Sequence, residues 1–205
     1  MSSESAVRAW RMLAVTLAAF GVSWFLDTWA YETIRMSGVY DKDWGRLLRV
    51  MGFMGTWAAL AIAVGLHDAG VRPPLAHPRR RAWLLLLSPG LAGLVAEILK
   101  IAIRRERPGL NDGVHGFRAW SDRPFNGAGL ALPSSHAAVA FGGAAMLAWM
   151  FPRARWVGYT LAAGCGLTRM LAGAHFLSDV VMAAGIGWVA AALLVQRFPV
   201  ESPAA

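Results

Sequence analysis

His175 and Asp179 have the types and the spacing of a nucleophile and the group that orients it. Residues four apart share one face of a helix, so the carboxylate can hold one imidazole nitrogen. The other nitrogen is then free to attack an electrophile such as phosphorus. This pair predicts covalent catalysis by His175.

A second histidine, His136, follows the run Pro133-Ser134-Ser135. Proline before hydroxyl residues is typical of a helix start, where one of the hydroxyl residues can serve as the N-cap. The free N–H groups and positive dipole end of such a helix favour a bound anion. We therefore expect Ser134 and Ser135 to contact an anionic group, and His136 to protonate a leaving oxygen and later activate water.

Three cations complete the candidate site: Lys100, Arg107 and Arg169. Arginine presents a fork of donors that matches phosphate oxygens, and cations stabilise charge as it develops in a phosphoryl transition state. Pro108 disfavours helix at Arg107 and is expected to turn this residue into a loop. Taken singly, arginines near the ends of membrane helices usually extend toward lipid headgroups, and a histidine in a membrane helix usually serves helix packing. Their combination predicts phosphate chemistry.

The elements that carry these residues are apolar. The chain has 205 residues, of which 57% are hydrophobic and only 16% charged, which excludes an ordinary soluble domain. About 20 apolar residues span a bilayer as a helix. We predict an all-α bundle of six transmembrane helices in one membrane-embedded domain, residues 1–205, with spans at residues 10–30, 49–67, 82–103, 132–151, 155–174 and 177–196. The first run is long and has no clear cleavage site, so it is interpreted as a retained helix.

The net charge of +8 comes from basic residues scattered through short loops. This pattern favours membrane lipids and phosphate as partners and argues against nucleic acid. The single cysteine, Cys165, excludes a disulfide framework or a cysteine-based zinc site within one chain. We predict no metal and no cofactor, because the outer loops offer no clear carboxylate cluster.

Six spans would place both termini on one side, together with the arginines at positions 72, 79, 80 and 81. Arginine there favours the cytoplasmic side. Raw counts of Lys and Arg on the two faces are close, and the termini-inside orientation follows only when the phosphate-site cations are excluded. The expected location is the cytoplasmic (inner) membrane, crossed several times, with the active site facing the periplasm or exterior.

The chemistry-bearing residues fall into three motifs. The first is Lys100-Ile-Ala-Ile-Arg-Arg-Glu-Arg107-Pro108, the second is Pro133-Ser134-Ser135-His136, and the third runs from Thr168-Arg169 through His175 to Asp179. Together they resemble the three-part signature of the type 2 phosphatidic acid phosphatase family, which also includes glucose-6-phosphatase and vanadium haloperoxidases. The likeness covers residues 100–179. Ser135 replaces the usual glycine and Thr168 the usual serine, and neither change removes a catalytic group.

The resemblance implies a six-helix core and a metal-independent mechanism through a phosphohistidine on His175, with general acid work by His136. It also implies phosphate binding by Lys100, Arg107, Ser134 and Arg169.

The expected activity is a lipid phosphatase of the cell envelope, and four substrates stay open: undecaprenyl diphosphate, phosphatidylglycerophosphate, phosphatidic acid and lipid A 1-phosphate. A phosphotransferase would use the same residues and differ only in what attacks the phosphohistidine. A binding or transport protein for lipid phosphates needs only the cations, so the histidines argue against it. A haloperoxidase is disfavoured by the membrane spans. The oligomeric state is left open by the sequence.

Other ionisable residues are expected to be bystanders. Glu97 should pair with Lys100 one turn away or with another helix. Asp27 is expected at the membrane interface. A further set of loop residues is expected to be solvated, with headgroup or second-phosphate binding as the alternative: Arg104, Arg105, His115, Arg118 and Arg123.

Overall fold

The computed structural model describes residues 3–70, 77 and 79–199. Within these residues the chain forms seven α-helices and three short 3-10 turns, with no strand beyond two isolated bridges. The helices are α1 (Ser3–Ile34), α2 (Asp43–Val50), α3 (Met54–Gly70), α4 (Arg80–Ile103), α5 (Ser135–Met150), α6 (Arg155–Leu171) and α7 (Leu177–Arg197).

Helix α5 forms the centre of the bundle and packs against α4, α6 and α7. Its sequence is rich in glycine and alanine, which lets neighbouring backbones come close. A Cβ at Gly187 of α7 would lie 2.5 Å from the backbone nitrogen of Gly142, and a Cβ at Gly143 would lie 2.3 Å from the Trp57 ring. These glycines therefore permit close contact between the helices.

The structure supports several membrane spans, fewer than the six predicted. Among the described residues, three helical stretches are long and apolar enough to cross a bilayer: Trp10–Ile34, Arg80–Ile103 and Leu177–Arg197. A fourth results if α2 and α3, which meet at 65°, count as one broken span. Helices α5 and α6 have 16 and 17 residues. The count of six spans therefore stays a prediction.

The segment before α3 was not foreseen. The predicted span 49–67 begins inside α2, which is a separate amphipathic helix that packs against α6. The bend arises at residues 51–53, where Gly52 lies against His136. Here the apolar pattern joined two elements that point in different directions.

The outward surface of the helices is apolar. Phe25 is 86% exposed, and Leu66, Trp83 and Trp156 are also exposed. Large apolar side chains in such number on the outside are unfavourable in water and are expected where lipid surrounds the helices. The protein is a membrane protein.

The long loop after α4 is held by one buried side chain. Arg104 adopts a left-handed conformation that ends α4. Its guanidinium donates hydrogen bonds to four backbone oxygens of the same loop, those of Arg118, Ala119, Asp122 and Pro124, at 2.6–3.1 Å. These bonds fold the loop over the end of the bundle that carries His136 and His175.

Replacing Gly143 with alanine should destabilise the bundle. The new methyl group would meet the Trp57 ring, which is fixed by a 2.8 Å hydrogen bond from its Nε1 to the Met51 oxygen. Overpacking of this kind costs about 1–3 kcal/mol. Thermal unfolding in detergent should show a lowered Tm for Gly143→Ala. Gly21→Ala is the matched control, because open space surrounds a Cβ there; an equal drop in both variants would refute the packing explanation.

Candidate active site

His175 and Asp179 lie together, as their spacing predicts. His175 sits in the short connection between α6 and α7, and Asp179 is in the first turn of α7. The His175 Nδ1 atom is 3.4 Å from Asp179 Oδ2, which is beyond the ordinary hydrogen-bond range, and it has no other partner among the described residues. Both residues are buried. Asp179 Oδ2 also accepts a 2.7 Å bond from the Phe176 N–H. The carboxylate is therefore placed to orient the imidazole.

The protonation of His175 follows from its surroundings. Burial lowers the pKa of His175 below its ordinary value, because the imidazolium is poorly solvated there. The nearby carboxylate of Asp179 raises the pKa of His175, whereas the positive charges of Arg169 and Lys100 lower it further. A neutral ring with its proton on Nδ1, toward Asp179, leaves the lone pair of Nε2 free.

His136 occupies the first turn of α5, close to the same group of charges. The electrostatic neighbours of its ring include Arg169, His175 and Lys100. The predicted helix start is confirmed: α5 begins at Ser135, and the Ser134 side chain caps it by accepting from the Ala137 N–H. The Ser134 backbone N–H donates to the backbone carbonyl oxygen of Asp179 at 3.2 Å, which connects the start of α5 to the start of α7.

Lys100 is buried and makes two contacts. Its Nζ donates to Glu97 Oε1 at 2.7 Å and also bonds the Ser135 hydroxyl, which in turn bonds Glu97. The expected pairing of Glu97 with Lys100 is confirmed. The serine that stands where the family usually has glycine thus joins α4 to α5 through its hydroxyl.

Arg107 lies in an extended conformation just before Pro108, in the loop as predicted. Its backbone N–H bonds the Gly129 oxygen at 2.9 Å, and its Nε lies 3.4 Å from the Leu130 oxygen. Burial, followed by the like charge of Arg169, lowers the pKa of Arg107 below its usual range. Two guanidinium groups this close would both be stabilised by an anion between them.

Arg169 is held by the polar segment between α1 and α2, which lies outside the three motifs. The Arg169 Nη1 atom donates to the Tyr40 hydroxyl at 2.8 Å, and that hydroxyl donates to the Thr168 oxygen at 3.1 Å. The Tyr40 ring also carries the guanidinium of Arg49, whose carbon is 4.6 Å from the ring centre. The buried Nε of Arg169 has no hydrogen-bond partner in the described part of the chain, so this arginine retains donor capacity for an anion. Tyr40 and Arg49 were missed, and an aromatic residue in a polar segment gave too weak a signal.

Asp27 contradicts its expected place at the interface. The side chain is completely buried, and its Oδ2 accepts from Arg105 Nη1 at 3.2 Å. Arg105 also bonds Asp179, so α1 is connected to the candidate nucleophile. The signal that could have revealed this was an acidic residue in an otherwise apolar span, which requires a partner.

The expectation of solvated loop cations is wrong for three residues: Arg104, Arg105 and Arg118 are all buried. Their guanidinium groups bind carbonyl oxygens and carboxylates of this chain, which leaves little capacity for a headgroup. His115 is mostly buried and lies 3.1 Å from Asp27 Oδ2. Arg123 is exposed and pairs with Asp122 at 3.0 Å.

Comparison with known families gives one match to a family model, described as the PAP2 superfamily, over residues 81–202. The matched stretch contains all three motifs and every predicted site residue.

Curated relatives include two proteins named lipid A 1-phosphatase. The one from Rhizobium johnstonii is 38% identical over 111 residues, which cover 52% of this chain and 44% of the relative. The one from Rhizobium etli is 38% identical over 98 residues, which cover 47% of this chain and 41% of the relative. The alignments thus span less than half the length of these relatives.

Among solved structures, one from Bacillus subtilis resembles this chain with a TM-score of 0.66 at 18% identity. It is described as a transmembrane PAP2 type phosphatidylglycerolphosphate phosphatase, and the match covers 92% of this chain and 94% of that one. At this identity the likeness shows the fold.

The lowered pKa of His175 can be measured directly. Nitrogen NMR of histidine-labelled protein in detergent should show one imidazole whose titration midpoint lies below the ordinary value of about 6.5. Its signal is assigned by its loss in His175→Asn. Since the chain has five histidines, the spectrum is simple. A midpoint for His175 at or above 6.5 would contradict the argument from burial.

Proposed function

Because this chain belongs to the PAP2 superfamily, we propose that it is a lipid phosphatase that removes a phosphate through a covalent phosphohistidine on His175. The assigned roles are His175 as nucleophile, Asp179 as its orienting base and His136 as general acid and base. Lys100, Arg107, Ser134, Ser135 and Arg169 bind the phosphate.

One observation carries the proposal: the ends of four separate segments bring these groups to one end of the bundle. His175 comes from the connection just before α7, Asp179 from the first turn of α7, His136 from the start of α5, and Lys100 from the end of α4. Arg169 from the end of α6 lies close enough to influence both histidines electrostatically. Binding alone would need the cations, whereas the oriented His175 adds a nucleophile.

In the first step Nε2 of His175 attacks phosphorus and a P–N bond forms. The P–O bond to the lipid breaks, and protonated His136 gives its proton to the departing oxygen. Asp179 stabilises the positive charge that develops on the His175 ring. The three cations face the charge on the non-bridging oxygens.

In the second step neutral His136 takes a proton from water as the water oxygen attacks phosphorus. The P–N bond breaks, inorganic phosphate leaves, and His175 returns to its neutral form. In this proposal the charge in both steps is stabilised by side chains of this chain, and the reaction requires no metal ion.

Lipid A 1-phosphate is the first candidate substrate, because both curated relatives carry that activity in their names. The other three lipids remain as comparison substrates, since all of them present phosphate at headgroup depth. The shared chemistry is a phosphate whose leaving oxygen belongs to a lipid.

The proposed placement is a six-span protein of the cytoplasmic membrane with the site at the outer face. Among the described residues, exposed Lys and Arg are equally numerous at the two ends: Arg11, Arg79, Arg153, Arg155 and Arg197 at the remote end, and Arg35, Lys42, Arg46, Arg49 and Arg123 at the site end. The proposed orientation therefore rests on leaving the phosphate-site cations out of the count.

The direct test is phosphate release by purified protein in detergent with EDTA, across lipid A, phosphatidylglycerophosphate, phosphatidic acid and undecaprenyl diphosphate. We expect release from lipid A and inhibition by vanadate, which mimics pentacoordinate phosphorus. His175→Ala should reduce kcat by at least about a thousandfold, because the nucleophile is gone.

His67→Ala is the matched control, since His67 lies at the far end of α3 with a largely exposed ring. Its rate should equal that of the wild type. A strict requirement for added magnesium would contradict the mechanism. If phosphate appears only on an added acceptor lipid, the protein is a phosphotransferase with the same site.

A further inference from the structure

A buried network connects the catalytic carboxylate to α1, and the proposed mechanism does not use it. Asp27, Arg105 and Asp179 come from α1, from the loop after α4 and from α7, and all three side chains are fully buried. Two carboxylates and one guanidinium in a low-dielectric interior are costly unless each is well satisfied.

Arg105 is the centre of this network. Its Nη1 donates to Asp27 Oδ2 at 3.2 Å, and its Nη2 donates to the Ser178 hydroxyl at 2.8 Å and to Asp179 Oδ1. The guanidinium lies between the rings of Trp24 and Phe176, with its carbon 4.7 Å and 4.6 Å from the ring centres. These contacts fix the plane of the fork.

Asp27 fixes the other side of the fork. Its Oδ1 accepts from the Ser178 N–H at 2.8 Å, and its Oδ2 accepts from the Ser178 hydroxyl. His115 lies 3.1 Å from the same oxygen. Asp27 therefore clamps both Arg105 and the first turn of α7, one residue before Asp179.

The two oxygens of Asp179 divide between this network and the nucleophile. Oδ1 accepts from Arg105, while Oδ2 accepts from the Phe176 N–H and faces His175 Nδ1. The Arg105 contact at Oδ1 and the Phe176 N–H bond at Oδ2 together restrict rotation of the carboxylate about its Cβ–Cγ bond. The direction of Oδ2 toward His175 thus depends on Arg105.

We propose that Asp27 and Arg105 are positioning residues for the hydrolysis, acting through Asp179 to hold His175 in its attacking orientation. This inference rests on the function proposed above. It makes α1, which lies outside the three motifs, a requirement for the chemical step.

The chain supplies a matched control for a merely structural role. At the opposite end of the bundle, buried Asp68 lies 3.1 Å from Arg81 Nη1 and 3.2 Å from His67 Nδ1. This trio matches Asp27, Arg105 and His115 in residue types and has a similarly buried carboxylate, and within the described residues it makes no contact with a site residue. Asp68→Asn should therefore lower the Tm as Asp27→Asn does but leave kcat unchanged.

The test measures kcat, KM and Tm for Asp27→Asn, Arg105→Lys and Asp68→Asn on the lipid that the wild type hydrolyses. The positioning variants should lose about tenfold to a hundredfold in kcat, as outer-sphere partners of metal ligands do, with KM changed by less than about threefold. Values of kcat in both variants equal to that of Asp68→Asn would overturn the inference.

A double-mutant cycle separates action through Asp179 from general damage. In an Asp179→Asn background, Arg105→Lys should cause no further loss of kcat. Losses that multiply would show that Arg105 acts independently and would refute the proposal. Should Arg105→Lys fail to fold, Ser178→Ala replaces it in the cycle with the same expectation.

Different results would refute the proposed function and the inference about Asp27 and Arg105. An active wild type with unaffected Asp27 and Arg105 variants refutes the inference alone. A folded wild type that acts on none of the lipids refutes the proposed function and the inference with it.

Discussion

The burial of one carboxylate, Asp179, constrains how the helices meet at the site. An unpaired carboxylate without solvent would take up a proton and could no longer orient an imidazolium. Its charge is compensated by a guanidinium from the loop after α4, by the Phe176 N–H and by the His175 ring. The Asp179 carbonyl oxygen also accepts from the Ser134 N–H, so the start of α5 depends on the same residue. Compensating Asp179 therefore brings α1, α5, α7 and the long loop into one arrangement.

A second constraint concerns the three cations of the site, Lys100, Arg107 and Arg169. Their like charges repel, and they must be held near one another without a counter-charge between them. Lys100 is offset by Glu97, which is half exposed on its side chain, and Arg169 is held by the neutral hydroxyl of Tyr40. Arg107 is anchored by carbonyl oxygens, which attract a cation without neutralising it. A phosphate would supply the missing negative charge at the point where these groups converge. The packing of the helices thus holds the cations in place before phosphate binds, and the bound phosphate then stabilises them fully.

Local features of this site could be predicted from the sequence because they join residues only a few positions apart in the chain. The contact of His175 with Asp179, the pairing of Glu97 with Lys100 and the Ser134 cap are all of this kind. The connection from Asp27 to Asp179 joins residues more than 150 positions apart, and a local sequence pattern cannot indicate a contact over that separation. Most of the amphipathic helix α2 lies before the predicted span 49–67, and the bend between α2 and α3 was not predicted because hydropathy does not report the direction in which a helix turns. The six spans and the catalytic roles remain predictions.

The stereochemical course at phosphorus tests the central claim, that phosphate passes through His175, most directly. A lipid phosphate made chiral with three oxygen isotopes would be hydrolysed in the presence of a suitable acceptor alcohol, and the configuration of the product phosphate ester would be determined. Two in-line displacements, first by His175 and then by the acceptor, predict retention of configuration. Inversion would show a single direct attack and would contradict a covalent role for His175.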